Sequence, residues 1–171
     1  MLCRLLIIAM VLAVVNVGCT DKKQSQSPKP AGTSANVPGL QTFPYVIAVS
    51  GETPHQVGKF DRKSGAMVAK EGESGAVVFG PYVALDSGKY RANFKVKVDG
   101  SGGEIAGTVD VNPFTEGVAV KPPAKQALRP GSGEQTIALD FDAEAGPKYE
   151  FRVWANGSGT IAVREIVLER R

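Results

Sequence analysis

Trp154 is the only tryptophan and His55 the only histidine, while Cys3 and Cys19 are the only two thiols. His55 lies in the segment 50–58 (SGETPHQVG), with no second His and no nearby Cys to complete a metal cluster. A nucleophilic triad would need it as its base, yet no Gly-x-Ser-x-Gly turn is present to supply the nucleophile. It reads as a solvated loop residue. Asp140 and Asp142 fall on one face of a strand, which sets their carboxylates ~7 Å apart, a separation that superficially suits a glycosidase pair. Adjacent charges on an exposed strand face are the commoner meaning of that spacing, so no enzyme is expected.

Trp154 offers a different chemistry. In the run 148–156 (KYEFRVWAN), Tyr149, Phe151, Val153 and Ala155 share one face, and Glu150, Arg152, Trp154 and Asn156 the other. An outward indole between a guanidinium fork and an amide is what a shallow platform for a sugar requires: the ring takes C–H faces and the polar groups take hydroxyls. Arg91 and Asn93 provide similar groups on another outward face, joined there by Lys95. The candidate ligand-binding residues are therefore Trp154, Arg152, Asn156, Arg91 and Asn93. The plain alternative for Trp154 is a packing or interface residue. For Arg152 and Glu150 it is pairing with cross-strand neighbours, and for Tyr82 a core or edge position.

The elements that must carry these residues are strands. Residues 89–98 alternate without a break, with Tyr90, Ala92, Phe94, Val96 and Val98 inward and Arg91, Asn93, Lys95 and Lys97 outward. Residues 105–111 put Ile105, Gly107, Val109 and Val111 on one face, and residues 136–142 put Ile137, Leu139 and Phe141 inward. The run 160–169 begins with Ile161 and Val163 inward and then switches to Ile166 and Leu168, which predicts a bulge near Arg164–Glu165. Further strands are predicted at 44–49, 76–79, 82–85 and 117–120. Asp-Ser-Gly, Asp-Gly-Ser-Gly-Gly, Ala-Gly-Pro and Asn-Gly-Ser-Gly turns separate the runs, and the Pro-rich stretch 121–133 reads as a long crossing. Seven to nine short strands predict an all-β fold, an antiparallel β-sandwich of jelly-roll type, with a ligand-holding barrel as the alternative.

Four of the 20 basic residues and one of the 17 acidic residues precede residue 42, which leaves 16 of each in the remainder. A neutral domain lacks the basic footprint of a nucleic-acid binder. The unbroken apolar run 5–15 (LLIIAMVLAVV) is too short to span a bilayer and suits the core of a signal peptide. It ends in Val-Asn-Val-Gly-Cys (15–19), which resembles the lipobox of bacterial lipoproteins, although Asn16 stands where an aliphatic residue is usual. That resemblance implies lipidation at Cys19 after removal of residues 1–18, and Thr20 in the next position implies the outer membrane. An ordinary secretory signal is the alternative. With Cys3 removed, no disulfide is possible. Residues 19–42, rich in Ser, Pro, Lys and Gln, form the lipidated flexible tether, and 43–171 the sandwich.

The segment 75–99 (GAVVFGPYVALDSGKYRANFKVKVD) resembles the carbohydrate-binding modules of the galactose-binding-like β-sandwich superfamily, through Gly88, Tyr90 and Phe94. Val57-Gly58-Lys59-Phe60 and Glu150-Phe151-Arg152-Val153-Trp154 are similar to that group too. The resemblance implies a non-enzymatic module binding a glycan or a glycosylated partner. Such modules often hold a structural calcium, but Glu52, Asp61, Glu71 and Glu73 show no ligand spacing, so no metal or other cofactor is expected. A structural or assembly lipoprotein, docking an envelope protein without reading sugar, is the competing reading. A broad apolar patch around Trp154 would favour it, and a polar surround would favour sugar.

Overall fold

The computed structural model describes residues 42–100, 103–114, 116 and 121–171. The predicted leader, Cys19, the tether up to residue 41 and the strand predicted at 117–120 lie outside the described residues.

Eleven strands make up the described fold: β1 (Tyr45–Ala48), β2 (Lys59–Asp61), β3 (Ala66–Ala69), β4 (Ser74–Val78), β5 (Val83–Ala84), β6 (Gly88–Asp99), β7 (Gly107–Phe114), β8 (Ala124–Leu128), β9 (Glu134–Ala143), β10 (Lys148–Asn156) and β11 (Thr160–Arg170). They form two open antiparallel sheets rather than a closed barrel. The first runs β2-β3-β11-β6-β9, with β1 beside the second half of β11; the second runs β4-β10-β7-β8, with β5 beside the first half of β10.

The predicted alternation is the packing. Tyr90, Phe94, Val96 and Val98 of β6 and Ile161, Val163, Ile166 and Leu168 of β11 are buried from one sheet. They meet Phe151 and Val153 of β10 and Val109 and Val111 of β7 from the other. Full burial of each large apolar side chain contributes about 1.5–3 kcal/mol. Phe141 of β9 binds the layers together, with ring centroids 5.8 Å from Tyr90, 5.7 Å from Tyr149 and 6.3 Å from Phe151. The inward phenols keep their polar ends satisfied at the rim. Tyr90 donates to the Asp86 carbonyl at 3.1 Å, and the Tyr149 oxygen accepts the Glu144 N–H at 2.7 Å. The predicted bulge is present: the β11–β6 register slips between Val163 and Glu165, which lets both halves of β11 bury their apolar side chains.

Two expectations need correction, and one hairpin is additional to the predicted strands. The Pro-rich stretch 121–133 contains a strand, β8, whose Leu128 is fully buried opposite Gly107. Its prolines flank the strand instead of interrupting it, and β8 lies at a sheet edge, where proline is tolerated. Ile105 is 41% exposed, because β7 begins only at Gly107. The β2–β3 hairpin was not predicted. Its turn is held by Asp61, whose carboxylate accepts the N–H groups of Lys63 at 3.0 Å and Ser64 at 3.3 Å, while Gly65 takes φ +66.

The outer face of the first sheet is closed by ion pairs between strand neighbours. Arg91 of β6 donates twice to Asp140 of β9, both at 2.7 Å, directly across the ladder. Lys95 meets Glu165 of β11 at 2.5 Å, again in register. The Arg91 guanidinium, through its hydrogen bonds, holds the Asp140 carboxyl below the usual carboxylate range. Because the folded value is depressed, the pair's contribution is present above the unfolded pKa of about 3.9 and fades as pH falls through the lower folded value. Thermal melts of D140N and the parent chain should therefore differ slightly at pH 7 and converge below pH 4. A gap that widens in acid would contradict the pairing.

Close approach also constrains the second sheet. A methyl group on Gly107 would overlap the Trp154 carbonyl and lie 2.7 Å from Cδ1 of Ile161. G107A should destabilise the fold by about 1–3 kcal/mol, the usual cost of overpacking, measured by denaturant titration. An unchanged midpoint would show that β7 and β10 can separate at no cost.

Candidate functional site

β10 lies inside the second sheet, between β7 on one side and β4 and β5 on the other, so both faces of its outward side chains have neighbours. Its register with β7 sets Trp154 opposite Thr108, Arg152 opposite Asp110, Glu150 opposite Asn112 and Lys148 opposite Phe114. On the other side Ala76 of β4 faces Trp154. A register slip between Val153 and Trp154 inserts an extra residue into β4, so that Ala76, Val77 and Val78 are all buried. The loop before β2 runs along this edge, with the Gln56 and Val57 N–H groups donating to the Ala76 carbonyl at 2.8 and 3.1 Å.

Arg152 organises the centre of this face. Its Nε donates to Asp110 Oδ1 at 2.6 Å and its Nη2 to Oδ2 at 3.1 Å. Its Nη1 lies 3.8 Å from Glu150, and its guanidinium carbon is 5.5 Å from the centroid of the Trp154 ring. Asp110 is 2% exposed and Glu150 6%. Buried carboxylates are costly unless paired, and the two-pronged bond from Arg152 compensates Asp110. The guanidinium is thereby fixed beside the half-buried Trp154 ring.

A second aromatic feature lies further along the strand. Val83 of β5 pairs with Tyr149, so Tyr82 comes level with Glu150. Its ring meets Phe114 with centroids 4.8 Å apart, and the two are 42% and 43% exposed. Burial, and then the Glu150 carboxylate, push the Tyr82 phenol above its ordinary value. The sequence assigns Tyr82 to a core or edge position and singles out neither Phe114 nor Asp110. The alternation of 105–111, carried on to residue 114, would have placed Asp110 and Phe114 on the outward face.

Of the residues predicted from sequence, Trp154 and Arg152 stand together here. Asn156 follows on the same strand, but its amide builds the hairpin turn, donating to the Ile105 carbonyl at 2.6 Å and accepting the Ser158 N–H at 3.0 Å. Arg91 and Asn93 project from the outer face of the other sheet, on the far side of the sandwich, where Arg91 is occupied by Asp140. Cys19 lies outside the described residues. The exposed His55 holds Nδ1 2.7 Å from the Thr53 carbonyl. A carboxyl held low, as Asp140 is, has the opposite perturbation to that of a general acid. Among the described residues no group of three or more His, Cys, Asp or Glu side chains is placed to hold a metal ion.

The chain matches no family model, and no curated protein matches it. Solved structures do match in fold. A family 35 carbohydrate binding module from an environmental isolate superposes with a TM-score of 0.53 at 15% identity, over 74% of this chain and 97% of that one. A ligand-free chain described as BiXyn10A CBM1 gives 0.51 at 11% identity, over 75% and 98%. The CBM35 from Cellvibrio japonicus Abf62 gives 0.50 at 14% identity, over 72% and 91%. The all-β fold of this chain, two antiparallel sheets without a helix among the described residues, is therefore similar to the β-sandwich of carbohydrate-binding modules.

Proposed function

We propose that this protein is a lipid-anchored, non-catalytic binding protein whose β-sandwich takes up carbohydrate on the outer face of its second sheet. One observation carries the reading: the Trp154 ring lies outward on β10, half-buried, with the Arg152 guanidinium held 5.5 Å from its centroid by the buried Asp110. An aromatic plate beside fixed polar groups is the arrangement that sugar recognition needs, because the plate receives C–H faces while prepaid donors and acceptors receive hydroxyls without reordering. Thr108 opposite the indole and Arg152 two residues before it put polar groups on two sides of the ring, with Ala76 of β4 on the third. The likeness in fold to carbohydrate-binding modules supports the same function.

The anchor rests on the apolar run 5–15 and the lipobox-like residues 15–19. Acyl chains on Cys19 would hold the sandwich at a membrane surface, the outer membrane by the residue after Cys19, with the Ser- and Pro-rich residues between them as tether.

Two experiments test these statements. On a glycan array the parent chain should mark a subset of glycans, and W154A should lose that binding by tenfold or more while melting within a few degrees of the parent. An array left blank by the parent, or marked equally by W154A, would turn the assignment towards a protein-docking role. Cell fractionation of C19A should move the protein from membranes to the soluble fraction, and retention in the membrane pellet would refute the lipid anchor.

A further inference from the structure

The outer face of the second sheet carries two aromatic stations, not one. Trp154 stands at one end, and the exposed Tyr82–Phe114 pair stands level with positions 148–150 of the same strand. Four residues of strand separate the row of Trp154 from that of Tyr82, a span of ~13 Å at the usual rise. One monosaccharide cannot touch both stations, whereas a short linear chain lying along β10 can. The two rings are more than 40% exposed although they touch each other, so each keeps a free surface. Two large exposed rings beside a buried carboxylate are more than the hydrophobic core of this sandwich requires.

The floor between the stations decides what kind of chain would fit. It consists of Glu150, Arg152 and Asp110, with Lys125 of β8 opposite Asp110. Between the stations two carboxylates face two cations and balance, while Lys148 stands opposite Phe114 at the second station itself. The guanidinium fork that would grip an anionic sugar is already closed on Asp110 through two hydrogen bonds. An acidic glycan would have to shed water from its own charge beside buried Asp110 and Glu150, with no free fork in return. Neutral hydroxyls face no such penalty.

Building on the carbohydrate-binding role, we infer that the ligand is a linear, uncharged oligosaccharide laid along β10, with Tyr82 and Phe114 as the specificity residues that read its length. Trp154 binds one unit; the Tyr82–Phe114 pair binds a unit further along the same chain.

The full chain, purified in detergent, would be titrated with linear gluco-, xylo- and manno-oligosaccharides from mono- to hexasaccharide, and with oligogalacturonates of equal length, by calorimetry. Affinity for the preferred neutral series should rise about tenfold once the chain is long enough to reach the second station, and should hardly change with salt. F114A and Y82A should remove that gain while leaving the affinity for the shortest binding sugar intact, and Y82F should retain it. Circular dichroism would verify folding of each variant, since both rings are surface residues. Affinity that is independent of length, a hexasaccharide bound as tightly by F114A as by the parent, or preferred binding of oligogalacturonates would overturn the inference while leaving a sugar site at Trp154 standing. Failure to bind any of these sugars would overturn both.

Discussion

The Asp110–Arg152 pair is the interaction on which the outer face of the second sheet depends. A carboxylate that is 2% exposed must be compensated, and the bidentate bond from the residue directly across the ladder does so. Such a pair is weak support for stability, because apolar residues of similar volume often serve a fold as well or better. Its effect is geometric. With two of its nitrogens engaged, the guanidinium cannot wander, and the ring of Trp154 beside it meets a fixed cation rather than a mobile one. The fold thus spends desolvation energy to hold a polar arrangement rigid at its surface.

The two outer faces of the sandwich solve different problems. On the first sheet, charges pair partly in water: Arg91 with Asp140 and Lys95 with Glu165 in register, and Arg164, at the β11 bulge, with Glu134 of β9 at 3.0 Å. Pairs of this kind contribute little and mainly keep a wide sheet soluble. On the second sheet Asp110 and Glu150 are buried while the rings of Tyr82 and Phe114 are exposed, the reverse of the ordinary distribution. The two faces thus distribute charge and aromatic surface in opposite ways.

Strand placement followed side-chain alternation wherever a run was long and regular, as in β6, β10 and β11. It failed where the signal was short. β2 has three residues and β3 four, too few for a period of two to stand out, and the Asp61 turn that joins them was the only strong cue. In β8 the flanking prolines outweighed Leu128, although an edge position makes those prolines harmless. Among the candidate residues, parity put the side chains of Trp154 and Arg152 on one outward face, but it also offered Arg91 and Asn93, which lie on the other sheet, and Asn156, whose amide is used by its own turn.

From the sequence alone come the all-β class, the inward and outward face of each long strand and the bulge in β11, since all three follow from the local pleat of the backbone, in which neighbouring side chains must point to opposite sides. Which outward faces adjoin is a different matter. Register between strands far apart in the chain brought Asp110 to Arg152 across 42 residues and Tyr82 to Phe114 across β10, and it sent Arg91 to the opposite side of the molecule. Those pairings are set by how whole sheets bury their apolar faces against each other, and no local pattern contains that information.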